Sequence, residues 1–243
     1  MPPVMTWSIV ARDAATGGFG VAVASKVLAV GALCPAAEAG VGALSSQSFT
    51  NPLYRPDVLA AIRDGASIQA AIDAATAADE GRDWRQVHGV DRAGCAFGFT
   101  GAACVPTFGM AAGEGVSVAG NMLAGPEVVP ATLEGWRAAW DQPFARRLVT
   151  ALAAGEAAGG DMRGKQSAAI LTVAHEPWAA LDIRVDDHLE PVTELMRLVD
   201  EFQENRAPYY ATRPTRANPS GVDDPDAREA LARGYRRAMG MEE

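Results

Sequence analysis

Residues 6–25 read TWSIVARDAATGGFGVAVAS, and this stretch decides the fold. Residues 6–13 alternate between apolar and polar positions as a strand does, and residues 19–25 form a second apolar run that is rich in valine. Residues 14–18, between the two runs, supply the small residues and glycines that are typical of a turn. The chain is therefore predicted to open with a β-hairpin.

A third strand and a pair of helices follow the hairpin. Residues 40–48 predict the strand, which ends in the polar run Ser45-Ser46-Gln47-Ser48. Residues 56–78 carry apolar side chains at helical spacing, and Gly65 divides them into two helices. A polar strand end of this kind is a place where a functional site can be built.

The second half of the chain repeats this plan. Further strands are predicted at 85–90, 95–100, 116–123, 167–174 and 181–185, and further helices at 127–140, 143–154 and 191–205. Helices in pairs between groups of antiparallel strands do not suit a doubly wound parallel sheet. They predict an α+β fold with helices layered against two mostly antiparallel sheets. Residues 1–206 form its single domain, and residues 207–243 form a tail rich in proline, arginine and aspartate.

Composition limits the classes of function. The 243 residues carry a formal net charge of −9, which disfavours nucleic acid as a partner. No apolar run approaches the ~20 residues of a membrane helix, and residues 1–5 lack the basic cluster of a targeting signal, so a cytoplasmic protein without membrane partners is expected. Without a glycine-rich phosphate loop, no nucleotide cofactor is expected. The cysteines are predicted to be buried free thiols, at Cys34, Cys95 and Cys104.

The histidines lie outside the motifs of serine hydrolases and zinc proteases. His88 falls within an apolar strand pattern and is predicted to be a hydrogen-bonded structural residue. Asp186, Asp187 and His188 offer hard ligands for a divalent cation, but neighbouring residues on a strand point to opposite faces. The prediction is therefore no metal site, and a metal-dependent hydrolase that uses these three residues is kept as an alternative.

Thr6 is the candidate nucleophile. If translation starts at Met5, or if the residues before Thr6 are removed, Thr6 has a free α-amine beside its own hydroxyl. An α-amine with a pKa of about 8 is a competent base at neutral pH, so one residue can supply both the nucleophile and the base. The alternative is that Thr6 only opens a strand as a good β-former.

Five runs of sequence stand out together: TWSIVARD (6–13), GVAVASK (20–26), GNMLA (120–124), GGDMRGKQSA (159–168) and RVDDH (184–188). Together they resemble one bacterial family of unknown function, catalogued as domain of unknown function ten-twenty-eight. That family is similar to the N-terminal-nucleophile hydrolases, and the resemblance covers residue 6 to about residue 205.

The resemblance implies a four-layer αββα sandwich and an amidohydrolase that acts on a small amide or peptide-like substrate through a threonine acyl-enzyme. In that superfamily the nucleophile opens the first strand and a charged residue on the second strand lies beside it, which points to Thr6 and Lys26. Asn121 would donate to the tetrahedral oxyanion, and Asp161 would orient the amine of the nucleophile. No cofactor is implied.

Substrate contacts are expected from Ser46 and Gln47 at the end of the third strand, from Ser167, and from Arg163, whose planar fork suits a carboxylate. Members of that family commonly begin with Met followed directly by the threonine, whereas this chain carries residues 1–4 upstream. If the extension is retained, the alternative is a non-catalytic ligand-binding or scaffold protein on the same fold. Tyrosines in the tail predict a homodimer or a higher homo-oligomer.

Overall fold

The computed structural model describes residues 6–241, in which the strands form two antiparallel sheets. The strands are β1 Thr6–Arg12, β2 Phe19–Ser25, β3 Pro35–Glu38, β4 Gly42–Ser48, β5 Arg85–Asp91, β6 Ala96–Thr100, β7 Gly109–Gly113, β8 Val116–Gly120, β9 Ser167–Val173 and β10 Ala179–Val185. The helices are α1 Val30–Leu33, α2 Tyr54–Arg63, α3 Ile68–Ala77, α4 Val128–Ala138, α5 Phe144–Ala157, α6 Pro191–Asn205 and α7 Pro225–Ala238.

The larger sheet has the strand order β10-β9-β2-β1-β8-β7, so β1 lies in its middle. Here β1 pairs antiparallel with both neighbours, with Thr6 opposite Ser25 on β2 and Trp7 opposite Gly120 on β8. The smaller sheet has the order β3-β4-β5-β6, with Gln47 opposite Gln86. Both sheets are antiparallel throughout, as the sequence predicts.

Strand β1 is buried on both faces because it packs between a helix pair and the other sheet. On one face, the indole of Trp7 donates to the carbonyl of Leu152 on α5 at 3.4 Å. On the other face, Val10 packs in an apolar cluster with Ala43 and Val90 of the smaller sheet. Helices α4 and α5 contact the larger sheet, and α2 and α3 contact the smaller one. The alternation of side chains along β1 thus separates a helix-facing row from a sheet-facing row.

The predicted hairpin, both helix pairs and the strands that follow them are confirmed, and β2 and α6 have the predicted bounds. Three short elements were not predicted: α1, β3 and β7. The cysteine prediction is wrong for Cys95, which is exposed in the turn before β6, whereas Cys34 and Cys104 are buried and free. Within residues 6–241 no helix is long and apolar enough to cross a membrane.

The chain divides into two compact units, Met1–Met196 and Arg197–Glu243, so the division falls within α6. The second unit contains α7, which begins where the Asp224 side chain accepts a hydrogen bond from the backbone nitrogen of Asp226. Tyr210 packs edge-on against Phe202, with ring centroids 5.0 Å apart. The segment predicted as a tail therefore contains a helix and aromatic contacts.

Candidate active site

Thr6 is the first residue of β1 and is wholly buried. Its carbonyl accepts a hydrogen bond from the backbone nitrogen of Asn121 at 3.0 Å and lies 3.5 Å from Nε2 of Gln47. Its hydroxyl is hydrogen-bonded to the thiol of Cys34. Burial raises the pKa of Cys34 to about 12, so this thiol is protonated and neutral at pH 7.

The ladders of the larger sheet bring several predicted residues to the Thr6 end. Ser25, opposite Thr6, is itself opposite Ser167 at the start of β9. Lys26 directly follows Ser25, and Asn121 directly follows the end of β8. Residues more than a hundred positions apart in the chain therefore meet at one end of the strands of this sheet, the Thr6 end.

Lys26 also lies at the Thr6 end of the strands, but its hydrogen bonds go to residues other than Thr6. Its side chain is exposed, and its ammonium donates to the carbonyl of Lys165 at 3.0 Å. Within residues 6–241 Lys26 makes no ion pair and no hydrogen bond to Thr6. Its backbone nitrogen donates to Oδ2 of Asp161 at 3.1 Å.

Asp161 and Arg163 form a closed ion pair beside β2. The Asp161 side chain is fully buried, and Arg163 donates hydrogen bonds to it from Nε at 3.0 Å and from Nη2 at 2.6 Å. The backbone of Arg163 adds a third hydrogen bond, at 2.9 Å. The guanidinium group of Arg163, which was predicted to bind a substrate carboxylate, is therefore bound to Asp161. Because Asp161 also accepts from the backbone nitrogen of Lys26, the ion pair holds the end of β2 in place.

Ser167 also has a local role. Its hydroxyl donates to the carbonyl of Val27 at 2.6 Å and accepts from the backbone nitrogen of Val30 at 3.1 Å. These two bonds span the turn that contains Ala29, a non-glycine residue with a positive φ of 55°. Ser167 therefore holds a strained turn after β2.

The structure separates the two predicted substrate contacts of β4. Neighbouring strand residues point to opposite faces, and only Gln47 points toward Thr6. Ser46 donates its hydroxyl to the carbonyl of Asn51 at 3.1 Å, and its backbone nitrogen donates to the carbonyl of Cys34 at 3.0 Å. Ser46 therefore stabilises the chain around β4 rather than lining the space beside Thr6.

A chain of buried amides joins the two sheets next to Thr6. Gln86 donates from Nε2 to the carbonyl of Gly120 at 3.1 Å. Because a carbonyl only accepts, Oε1 of Gln86 is on the other side, where it accepts from Gln47 at 2.7 Å and from Nδ2 of Asn121 at 3.1 Å. The orientation of all three amides thus follows from one backbone carbonyl.

The same chain of hydrogen bonds determines which ring nitrogen of neutral His88 carries the hydrogen. Oε1 of Gln47 accepts the hydroxyl hydrogen of Ser8 at 2.7 Å. Ser8 therefore accepts from Nε2 of His88, also at 2.7 Å, which leaves Nδ1 to accept from Ser117 at 2.9 Å. Burial lowers the pKa of His88 to about 3, so the ring is neutral and has this tautomer. The prediction of a hydrogen-bonded structural histidine is confirmed.

Backbone strain is concentrated at the same end of the molecule. Among the residues that the structure describes, three that are not glycine have a positive φ: Ala29 at 55°, Ser48 at 68° and Met122 at 50°. Ser48 ends β4, and Met122 directly follows Asn121. Strain of this kind persists only where the surroundings hold it, and it is frequent at functional sites.

An open cleft of about 820 Å³ lies at the Thr6 end of the strands of the larger sheet. It is lined by Lys26, Lys165, Gln166 and residues 187–190. Asp187 accepts from the amide of Gln166 at 3.1 Å, and Nδ1 of His188 accepts from the backbone nitrogen of Glu190 at 3.0 Å. In the part of the chain that the structure describes, no three His, Cys, Asp or Glu side chains are placed to hold a metal ion. The cleft can admit a small polar molecule.

Sequence reasoning did not single out the buried polar residues that surround Thr6. Their signal is a polar residue at every second position of otherwise apolar strands, which is the spacing of one strand face. What the sequence could not supply is the pairing of the faces across the two sheets. These residues are Ser8, Gln86 and Ser117.

Comparisons with known proteins agree with the fold. Residues 6–195 match a family described as a family of unknown function, DUF1028. A crystal structure of a protein from Silicibacter pomeroyi, described with the same family, is similar with a TM-score of 0.83 and 30% sequence identity. The match covers 90% of this chain and 100% of that chain. No curated protein matches the chain.

Proposed function

Since the chain belongs to the family of unknown function DUF1028, we propose its activity from the geometry: it is an amidohydrolase whose nucleophile is the hydroxyl of Thr6. The substrate is a small amide or a peptide-like molecule, and the route uses no cofactor. The observation that carries the proposal is that Thr6 opens a central strand among buried amides, at the end of the sheet where the backbone is strained and where Lys26 lines an open cleft.

We also infer the four-layer αββα arrangement of the N-terminal-nucleophile hydrolases. In its support, β1, β4, β5 and β8 bring the two sheets into contact, and each sheet contacts its own helix pair. The family match also begins at Thr6, the residue that opens β1. Thr6 thus has the position that the nucleophile has in that superfamily.

The proposed reaction needs Thr6 to be the first residue. Its α-amine removes the hydroxyl proton, Oγ1 attacks the substrate carbonyl, and the resulting ammonium gives the proton to the departing amine. Water, deprotonated by the same amine, then attacks the ester, releases the acid and returns the hydrogen to Oγ1. Asn121 uses one hydrogen of Nδ2 on Gln86, so the second can stabilise the oxyanion.

The other predicted residues have supporting roles in this proposal. Lys26 lines the cleft and presents its charge to the substrate. Asp161, gripped by Arg163, holds the backbone of Lys26, and Ser167 holds the turn that follows. Gln47 binds near the carbonyl of Thr6.

The test compares the full chain with a chain that starts at Thr6, both verified by intact mass and N-terminal sequencing. Each is offered a panel of small amides and dipeptides. We expect hydrolysis only by the chain that starts at Thr6, because only that chain has the free α-amine. Thr6→Val, which keeps the shape of the side chain but lacks the hydroxyl, should abolish turnover. Thr6→Ser should retain part of it.

A Thr6→Val variant that hydrolyses the same amide, or a full chain that is equally active with residue 1 intact, would exclude Thr6 as the nucleophile. The alternative would then be a non-catalytic ligand-binding or scaffold protein. The complete burial of Thr6 in the present chain favours that alternative. It predicts saturable binding of a small molecule by the full chain, which calorimetry would detect without any turnover.

A further inference from the structure

Asn121 contains a buried acceptor that nothing fills. Asn121 is wholly buried, and among residues 6–241 no group donates a hydrogen bond to its Oδ1. A buried polar atom without a partner destabilises a folded protein, and native structures contain few of them. Because this oxygen lies next to a candidate nucleophile, we expect a hydrogen-bond donor to fill it in the active form.

The unfilled atom is the oxygen and not the nitrogen of the Asn121 amide. Turning the amide over would place Oδ1 against Oε1 of Gln86, and two acceptors repel each other. Gln86 cannot turn to accommodate this, because its Nε2 already donates to the carbonyl of Gly120. The missing partner is therefore a hydrogen-bond donor.

Asn121 lies directly across the β1–β8 ladder from Thr6. The pair Trp7 and Gly120 belongs to this ladder, and the next step toward the start of β1 joins Thr6 to Asn121 through the 3.0 Å backbone bond. Opposed residues on antiparallel strands share a face, with Cβ atoms about 5 Å apart. The amide of Asn121 is thus within one side-chain length of the atoms of Thr6.

We propose that Asn121 is a positioning residue whose Oδ1 accepts a hydrogen bond from the free α-amine of Thr6. The inference rests on the proposed function, since only a chain that begins at Thr6 has this amine. The amine carries two hydrogens when neutral and three when protonated, so it can donate in either state and still direct its lone pair at Oγ1. Asn121 then acts twice, with Oδ1 on the amine and Nδ2 toward the oxyanion.

Two buried titratable groups at this end keep one protonation state between pH 5 and 10. His88, from the smaller sheet, is neutral throughout because burial lowers its pKa to about 3. Cys34, beside the Thr6 hydroxyl, is protonated throughout because burial raises its pKa to about 12. Burial also raises the pKa of Cys104, next to Ser48. The charged groups Lys26, Asp161 and Arg163 lie at the end of β2.

The test uses the chain that starts at Thr6 and the substitutions Asn121→Asp and Asn121→Leu. Both remove the Nδ2 donor to Gln86, and only Asn121→Asp keeps an acceptor, as a carboxylate, in the place of Oδ1. The apparent pKa of the α-amine is measured by labelling with an amine-selective reagent from pH 5 to 10 and reading the mass of the N-terminal peptide. We expect Asn121→Asp to give a pKa higher by at least about one unit than Asn121→Leu, because a carboxylate beside the amine favours the ammonium.

Equal pKa values in the two variants would overturn the proposal. If Asn121→Leu does not fold, Asn121→Ala removes the same acceptor and takes its place. Labelling needs no turnover, so the two proposals fail separately. Hydrolysis without a difference in pKa would overturn only the role of Oδ1, and a difference in pKa without hydrolysis would overturn only the enzymatic activity.

Discussion

His88 shows how one residue makes the stability of the molecule depend on pH. Its ring spans the two sheets, with Nε2 bonded to Ser8 and Nδ1 to Ser117. In the neutral ring Nδ1 accepts the hydroxyl hydrogen of Ser117, whereas a protonated Nδ1 can only donate. Protonation would therefore force the Ser117 hydroxyl to turn and would bury a charge.

We expect His88 to destabilise the protein as the pH falls from 6.5 toward 3. In the unfolded chain His88 takes up a proton near its usual pKa of 6.5, whereas in the folded protein burial lowers that pKa to about 3. The unfolded state therefore binds more protons in this window, and the free energy of unfolding falls by about 1.4 kcal/mol per pH unit. Urea unfolding at pH 6.5 and 4.5 measures the effect.

The variant His88→Gln has no titrating ring, so the stability difference from the natural chain should change by about 2 kcal/mol between these two pH values. His175→Gln is the matched control, because His175 is exposed. The interpretation is wrong if the two variants follow the same pH dependence.

At the scale of elements, α5 packs on β1 through a glycine that permits close approach. A Cβ at Gly155 would lie 2.1 Å from the hydroxyl oxygen of Thr132 on α4 and 2.8 Å from the indole nitrogen of Trp7 on β1. Three elements therefore meet at Gly155. The sequence carries no sign of this, since a glycine inside a helix ordinarily only weakens it.

Gly155→Ala is expected to lower the free energy of unfolding by about 1–3 kcal/mol, because overpacking outweighs the gain in helix propensity. Gly234→Ala in α7 is the matched control, since a Cβ there meets nothing within 4 Å. That change should stabilise α7 by up to about 1 kcal/mol. Urea titrations followed by circular dichroism measure both. A stabilising Gly155→Ala would contradict the packing described here.

The elements that the sequence predicted share a clear periodicity, and the two short strands it missed lack one. Strands β1 and β2 carry seven residues of strand pattern each, and α6 carries an apolar stripe over fifteen residues. Strand β3 reads PAAE and β7 reads GMAAG, which are too short and too poor in β-branched residues to differ from a loop. Strand β3 is an edge strand of the smaller sheet, and β7 is an edge strand of the larger one. At these positions pairing with the one neighbouring strand decides the structure.

The candidate site was predictable only in part, for a related reason. Thr6, Asn121 and Gln47 were named from the sequence, and the ladders bring them together. Arg163 and Ser46 were named for substrate contact, but their side chains bond to Asp161 and Asn51. Which neighbour satisfies a polar group depends on the pairing of distant strands, and a single sequence does not contain that pairing.

At the scale of the whole molecule, charge is distributed unevenly along the chain. Six arginines and six carboxylates between residues 207 and 243 cancel, so the formal net charge of −9 belongs to residues 1–206. Repulsion between copies therefore opposes contacts through the first 206 residues more than contacts through the last 37. The second unit also exposes apolar side chains, among them Tyr209 and Leu231.

The prediction of a homodimer that forms through residues 207–243 follows from this distribution, since aromatic and apolar residues of a neutral surface are typical of interfaces. Light scattering should give the full chain about twice the 25.3 kDa of one copy, and a chain that ends at residue 206 the mass of one. Leu231→Asp keeps the full length and should weaken the dimer by placing a charge in the contact. A full chain that scatters as one copy at micromolar concentration, or a truncated chain that remains dimeric, would contradict the prediction, and the second result would place the interface on residues 1–206.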